Sequence, residues 1–229
     1  MKNQLHIAVP GALLRPWQQG DAPSLARYAN NPRVSVCMRD LFPSPYTIDD
    51  AHRFIAMATG PAPGLLLAIE IQGEAAGGIG IHPLDDVHRG TAEIGYWLAE
   101  PFWGMGIVTG AVRALVPVAF EQTDIVRIQA GIFSRNPASM RVLEKCGFIR
   151  EAVHRHAITK RGVVMDEVMY VRFRNETGDK PENLCRRSPI FPVHDKPGTV
   201  ARPPVRHGRL FPDKNAGEIA SYPKKNNSY

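Results

Sequence analysis

A G-x-G turn joins a strand pattern to a helical pattern near the middle of the chain. The strand pattern covers 91–98, Gly104 and Gly106 follow it, and an apolar helical stripe begins at Ile107. Free N–H groups at a helix start attract anions, and glycine lets a phosphate approach the backbone closely. The segment is neither a Walker loop nor a dinucleotide fingerprint, because the following Lys-Ser/Thr and the third glycine are missing. It predicts an anion site, with two ordinary turn glycines as the alternative.

A second polar segment opens the next helix. Asn136 precedes Pro137, a residue favoured in the first helical turn, and the helix is expected to end near Cys146 with Gly147 as its C′ residue. Ser139 lies in that first turn, where it either does chemistry or completes a hydrogen bond below an Asn136 cap.

The remaining elements alternate between strand and helix, in a mixed α/β pattern with antiparallel hairpins at both ends. Thr47 and Asp50 resemble a capping box, and Pro117 is expected to kink or shorten its helix. We predict helices over 21–30, 47–58, 107–120 and 137–146, and strands over 12–14, 65–71, 77–82, 91–98, 126–133, 150–158 and 163–173.

The composition excludes several protein classes. The chain has 229 residues, 44% of them hydrophobic and 22% charged, which is a globular profile. Three cysteines without a C-x-x-C pair argue against a disulfide scaffold or a zinc finger, and the scattered histidines predict no metal site. There is no signal-peptide pattern at the N-terminus and no apolar run near the ~20 residues of a membrane span. We therefore expect a soluble, cytoplasmic protein without a membrane partner.

The last 55 residues differ from the rest. Residues 1–174 carry a net charge of +2, whereas 175–229 carry +4 together with eight prolines and few apolar residues. Such a segment buries too little apolar area to offset its ordering entropy, so we expect a domain over 1–174 and a disordered tail over 175–229. The tail is either a solvated appendage or a basic arm for nucleic acid, and its diluted charge makes nucleic acid the weaker alternative.

Several motifs, in register along residues 12–173, resemble the GCN5-related N-acetyltransferase (GNAT) superfamily. The resemblance is to the branch of the ribosomal-protein alanine N-acetyltransferases, and it implies a twisted, mostly antiparallel mixed sheet flanked by helices. The matching segments, besides the G-x-G turn, are Leu14-Arg15-Pro16, Asn30 to Val34, Phe42 to Thr47, Gly77 to Gly80, Asn136 to Ser139 and Leu143 to Phe148.

The resemblance implies acetyl-CoA as co-substrate and assigns residues to it. A main-chain N–H of strand 93–98 would polarise the thioester carbonyl, Asn136 would contact the pantetheine arm, and Ser139 would hydrogen-bond the leaving sulfur. The family's phosphate loop corresponds to Trp103, Gly104, Met105, Gly106, Ile107, Val108 and Thr109, and the strand residues assigned to the cofactor are Ile94 and Tyr96.

Two positions depart from the family pattern. Pro101 stands where the superfamily usually has Gln or Arg, and Met105 stands where many relatives have Lys or Arg between the glycines. Backbone donors would still hold the pyrophosphate, with weaker attraction.

Two side chains are candidates for proton transfer. An acceptor amine must lose its proton before it attacks, and a carboxylate acting through water is the usual route. Relatives carry an acid at the position of Glu93, which is therefore the candidate base. The alternative is an ion pair between Glu93 and Arg113 or Arg127. Ser139 is the candidate acid for the departing thiolate. Tyr170 is another possible donor, but a half-buried packing position is the favoured interpretation for it.

The leading interpretation is an acetyl-CoA-dependent N-acetyltransferase that transfers the acetyl group directly in a ternary complex. The acceptor is either a protein N-terminus or a small amine such as a polyamine, an amino acid or an aminoglycoside. Scattered aspartates, among them Asp40 and Asp50, would either form an acidic mouth for a cationic amine or lie on the solvated surface. A non-catalytic acyl-CoA-binding module is the competing class, and the protein would be a monomer or a homodimer.

Overall fold

The structure, a computed structural model, describes residues 5–61 and 64–174. Its centre is one eight-stranded open sheet with the order β1-β2-β3-β4-β5-β6-β8-β7. Only β5 and β6 run parallel, and all other neighbours are antiparallel. The strands are Ile7–Val9 (β1), Ala12–Pro16 (β2), Leu65–Ile71 (β3), Glu74–Pro83 (β4), Thr91–Leu98 (β5), Arg127–Phe133 (β6), Ile149–Lys160 (β7) and Val163–Phe173 (β8).

Five α-helices cover the two faces of the sheet within the described residues. They are Ala22–Ala29 (α1), Pro32–Ser35 (α2), Ile48–Thr59 (α3), Ile107–Gln122 (α4) and Pro137–Lys145 (α5). The side chains of α4 and α5 share a buried cluster with Ala92 and Ile94 of β5. Trp97 lies on the same strand, an odd number of positions from Ala92 and Ile94, and its side chain is buried with those of α1 and α3. Since successive strand residues point to opposite faces, β5 is covered by α4 and α5 on one face and by α1 and α3 on the other.

The mixed sheet predicted from the sequence is confirmed. The capping box is present, because Asp50 N–H donates to Thr47 Oγ1 at 3.2 Å and Thr47 N–H donates to the Asp50 carboxylate at 2.8 Å. Helix α4 continues through Pro117 to Gln122, so the predicted shortening is wrong. Close packing of Leu115, Val116 and Ala119 in the core offsets the loss of one helical hydrogen bond.

Two short elements were not predicted, β1 and α2, because three and four residues are too few to show a period. Strand β4 begins at Glu74, earlier than predicted, and β7 extends over Ile149–Lys160. The tail 175–229 lies outside the described residues, so the domain boundary stays a prediction. Among the residues that the structure does describe, no helix is long and apolar enough to cross a membrane.

Candidate active site

The G-x-G turn forms the start of α4 with both glycines in left-handed backbone conformations. Gly104 has φ +79° and Gly106, the residue before the helix, has φ +76°. Gly110 N–H donates to Gly106 O at 2.9 Å, so the amides of 107–109 precede the helical hydrogen-bond ladder and point out of its end. A Cβ on either glycine would meet no atom within 4 Å, which leaves the approach open. This end of α4 is therefore built to hold an anion by backbone donors.

The turn is fixed to the strand that precedes it. Trp103 Nε1 donates to Leu98 O at 2.7 Å, and the rings of Phe102 and Tyr28 pack edge-on with centroids 6.0 Å apart. Trp103 is 42% exposed, so this tryptophan lies on the surface rather than in the core. The anchor keeps the glycine turn at the carboxyl end of β5.

Beside the turn, the sheet opens between its two parallel strands. β5 and β6 pair only through Thr91–Glu93 and Arg127–Gln129, whereas β5 pairs with β4 as far as Leu98. Strand β6 stays paired with β8 along its whole length and so separates from β5. Within the described chain, the β6-facing edge of β5 beyond Glu93 has no strand partner, and its N–H groups face a gap.

A pair of hydroxyl groups closes this gap on the side of α4 and α5. The hydroxyls of Tyr96 and Ser139 lie 2.8 Å apart, and Tyr96 also donates to Ser139 O at 3.3 Å. Asn136 caps α5, because its Oδ1 accepts Ser139 N–H at 3.2 Å. Burial raises the pKa of Tyr96, so its hydroxyl stays protonated and remains a hydrogen-bonding partner of Ser139.

Glu93 lies on the opposite face of β5. Its carboxylate binds Arg39, with Nη2 and Oε2 2.9 Å apart. The ion-pair partners expected from the sequence were wrong, since Arg113 donates to Lys145 O and Arg127 binds Glu151. Both expected partners are nearer than Arg39 in sequence, but Arg39 is the residue that the fold brings to this face.

Tyr170 is fully buried and donates from its hydroxyl to Glu144 Oε1 at 2.7 Å. The sequence predicted a half-buried position for Tyr170, and the structure shows a buried one. Burial first, and then the Glu144 carboxylate, raise the pKa of Tyr170. This hydroxyl is committed to a partner on α5, in contrast to the Tyr96–Ser139 pair.

A cavity of about 180 Å³, here the acceptor cavity, lies on the Glu93 face of β4 and β5. Its floor consists of Gly78, Gly80 and Gly95, and Gly80 stands directly opposite Gly95 in the β4–β5 register. A Cβ on Gly95 would meet nothing within 4 Å, so this glycine leaves open space, whereas Gly78 and Gly80 let neighbouring side chains pack against the strand. The walls are mainly aromatic and apolar and include Trp17, Met38, Phe42, Tyr46, Phe54 and Trp97.

The lining of the acceptor cavity carries little charge. Its described residues include no Asp, Glu, Lys or Arg, and its titratable side chains are His82, Tyr46 and Tyr96. Burial raises the pKa of Tyr46 to about 12. His82 is exposed to solvent on one side, yet desolvation by its neighbours lowers its pKa, an effect that Glu93 opposes and Arg39 reinforces. At neutral pH the cavity is therefore an apolar recess with one neutral imidazole.

The family follows from comparison with known proteins. Residues 12–149 match the model of the acetyltransferase (GNAT) domain, which is more than half of the chain. The chain belongs to the GNAT family. It is an acetyl-CoA-dependent N-acetyltransferase, as predicted from the motifs.

Similar proteins support this assignment. A Bacillus subtilis protein named as a ribosomal N-acetyltransferase, YdaF, is 35% identical over 149 residues, which are 65% of this chain and 76% of the relative. The solved structure of the microcin C7 self-immunity acetyltransferase MccE, in complex with acetyl-CoA and AMP, matches with 26% identity and a TM-score of 0.64, covering 72% of this chain and 93% of MccE. The ribosomal-protein-S5-alanine acetyltransferase of Vibrio fischeri shares the fold, with 17% identity and a TM-score of 0.66, covering 76% and 98% of the two chains.

The structure brings the predicted cofactor residues to one edge of the sheet. The glycine turn and Asn136 follow the carboxyl ends of β5 and β6, and Ser139 reaches back to Tyr96. The side chain of Ile94 is buried in the core, which leaves its main chain as the group that faces the gap. Among the described residues no cluster of His, Cys, Asp and Glu could hold a metal ion.

Sequence reasoning missed His82, Arg39 and the acceptor cavity. His82 is one of eight histidines, and no local motif distinguishes it. The available signal was the spacing Gly78, Gly80, His82, which puts two residues without side chains and an imidazole on one strand face. That signal becomes informative only when the β4–β5 register is known, because the register places Gly95 opposite Gly80 and Glu93 opposite His82.

Proposed function

We propose that this GNAT protein acetylates the α-amino group of a protein N-terminus by direct transfer in a ternary complex. The observation that carries the proposal is the position of β5 between two different sites. Tyr96 meets the hydroxyl of Ser139 on one face, and the adjacent Gly95 forms the floor of the acceptor cavity on the other. An acetyl group in the gap beside β5 would lie within reach of an amine that enters from the cavity.

Each predicted cofactor contact has a structural role in this proposal. The amides of Met105–Val108 bind the pyrophosphate, and the free edge of β5 donates a main-chain N–H to the thioester carbonyl. Asn136 contacts the pantetheine arm. Ser139, hydrogen-bonded to Tyr96, donates the proton that converts the departing thiolate to a thiol.

The cysteines favour direct transfer over an acetyl-enzyme. Cys146 is buried, and its thiol donates to Thr109 O at 3.5 Å. Burial raises the pKa of both Cys146 and Cys37, which makes each a poor nucleophile at neutral pH. Neither thiol lines the acceptor cavity.

The chemistry of the cavity favours an acceptor with an uncharged, apolar body. A polyamine or an aminoglycoside carries several positive charges and needs carboxylates around it, which the lining lacks. Two of the aspartates considered for an acidic mouth have other partners, since Asp40 binds Lys160 and Asp50 caps α3. A peptide N-terminus presents one α-amino group of low pKa beside an ordinary side chain. The names of YdaF and the Vibrio fischeri enzyme point the same way.

The experiment is thiol release from acetyl-CoA with three groups of acceptors. These are peptides with free N-termini and apolar first side chains, the same peptides with blocked N-termini, and a panel of polyamines, amino acids and aminoglycosides. We expect turnover with free N-termini and none with blocked ones. Turnover with small amines alone would contradict the proposed acceptor. Binding of acetyl-CoA without turnover in any group would favour the non-catalytic module.

A further inference from the structure

Among the described residues that line the acceptor cavity, one group can take up a proton at neutral pH. Burial raises the pKa of Tyr46 to about 12 and also raises that of Tyr96, so both phenols are already protonated. The remaining titratable side chain of the lining is His82. A neutral imidazole has one nitrogen with a free lone pair.

The imidazole lies along the cavity floor. Its Nε2 is 2.9 Å from the point that a Cβ on Gly80 would occupy, so the ring extends over the face of that glycine. Gly80 is opposite Gly95, the residue next to Tyr96, in the β4–β5 register. His82 therefore stands within two strand positions of the place where the amine and the acetyl group would meet.

Glu93 is less suited to accept the proton itself. It is opposite His82 in the register, but its carboxylate binds Arg39 and does not line the cavity. Its Oε2 accepts a hydrogen bond from Arg39 Nη2 at 2.9 Å, so this oxygen already has a partner outside the cavity lining. Its negative charge still favours the protonated imidazolium of His82.

We infer that His82, with Glu93 as its positioning residue, accepts the proton from the acceptor ammonium; the inference rests on the proposed function. The ammonium loses one proton to His82, and the amine nitrogen then bonds to the thioester carbon. The C–S bond breaks and the thiolate leaves. The nitrogen loses its second proton and the thiolate gains one, so these two changes cancel. His82 returns its proton to solvent, so one proton is released per acetylation.

The charges around His82 fit this role. Glu93 on β5 favours the imidazolium, Arg39 after α2 disfavours it, and Tyr46 before α3 is neutral. Desolvation is the largest cause and holds the pKa of His82 below its ordinary value, while the exposed side of the residue lets the imidazole exchange protons with solvent. An α-ammonium, with an ordinary pKa of about 7.7 to 8.0, can pass a proton to such a base more readily than a lysine with a pKa of about 10.4.

The test is the pH profile of kcat for His82→Gln and Glu93→Gln, with the peptide acceptor and saturating acetyl-CoA. We expect His82→Gln to lower kcat at pH 7 by about a hundredfold or more and to remove the acidic limb of the profile. Its residual rate should rise with pH as the amine loses its proton to solvent. Glu93→Gln should keep the limb and move it to lower pH, because the imidazolium loses a favourable charge.

The control is His88→Gln, an exposed histidine outside the cavity, which should behave as wild type. Thermal unfolding and acetyl-CoA affinity should be unchanged in all three variants, which separates a lost base from a lost fold. Loss of the limb in Glu93→Gln together with its retention in His82→Gln would overturn the inference and make Glu93 the base. A wild-type protein without turnover would contradict the proposed function, whereas normal turnover in His82→Gln would contradict only the role of His82.

Discussion

The two faces of β5 carry sites made of different chemical groups, mainly backbone amides on one face and side chains on the other. On the side of α4 and α5, the site consists of backbone amides at Gly104 and Gly106 and of a helix cap at Asn136. On the other side, it is a recess of side chains over a glycine floor. Backbone donors recognise a phosphate whatever the surrounding sequence, whereas side chains set which acceptor fits. One face can thus bind a constant co-substrate while the other face determines specificity.

The largest effect is expected from blocking the amides at the glycine turn before α4. Valine at position 106 would be strained at φ +76° and would occupy the open approach to the amides. Strain of this kind costs about 1–3 kcal/mol, so we expect Gly106→Val to weaken acetyl-CoA binding by roughly tenfold to a hundredfold. Isothermal titration measures the effect.

Gly162→Val is the matched control for Gly106→Val. Gly162 has φ +77° in the turn between β7 and β8, so valine there meets the same strain far from the glycine turn. The control should lower thermal stability and leave acetyl-CoA affinity intact. Equal affinities in the two variants would show that the turn does not hold the pyrophosphate.

The second test fills part of the acceptor cavity with a larger side chain. Gly95 has an ordinary strand conformation and open space before its Cβ position, so Gly95→Val should fold and occupy part of the acceptor cavity. We expect kcat/KM for the peptide to fall by about tenfold while acetyl-CoA affinity stays the same. Thr91→Val, on the same strand face but outside the cavity lining, should change neither value. A matching loss of acetyl-CoA affinity in Gly95→Val would mean that the two faces are not independent.

A smaller effect is expected at the hydroxyl pair. A thiolate leaves more easily than an alkoxide, because its conjugate thiol has an ordinary pKa of about 8.5, so its acid catalyst contributes less than most. We expect Ser139→Ala and Tyr96→Phe each to lower kcat by about three- to tenfold, and the double variant to lose no more than the stronger single one. Steady-state kinetics on the three proteins measures this. A loss below twofold in Ser139→Ala would remove this serine from the mechanism.

The smallest expected effect tests the charge beside the imidazole. Arg39 lowers the pKa of His82 and also binds Glu93. Removing it in Arg39→Ala should raise the pKa of His82, so the acidic limb of kcat should move to higher pH by a fraction of a unit. Arg89→Ala, an exposed arginine in the turn after His88, should leave the limb in place. A shift toward lower pH in Arg39→Ala would contradict the assigned electrostatics.

The sequence predicted the elements around the glycine turn well because each of them is local. The glycine turn, the start of α4 and the cap at Asn136 each depend on residues only a few positions apart, and their chemistry lies in the backbone. The family motifs cover this same stretch. The end of α5 near Cys146, with Gly147 after it, was predicted from these same local signals, and the structure confirms it.

The acceptor face was decided by tertiary structure. Trp17, His82 and Trp97 are distant in sequence, and only the pairing of β4 with β5 and the packing of α1 and α3 bring them around one cavity. The predicted ion-pair partners of Glu93 were wrong for the same reason, since the observed partner Arg39 comes from a segment with no periodic pattern. The sequence by itself determined the family, the sheet and the G-x-G turn at the start of α4, because these follow from local motifs and short-range backbone rules. The register between strands determined which side chains share the acceptor site, because a one-residue shift would move every one of them to the other face.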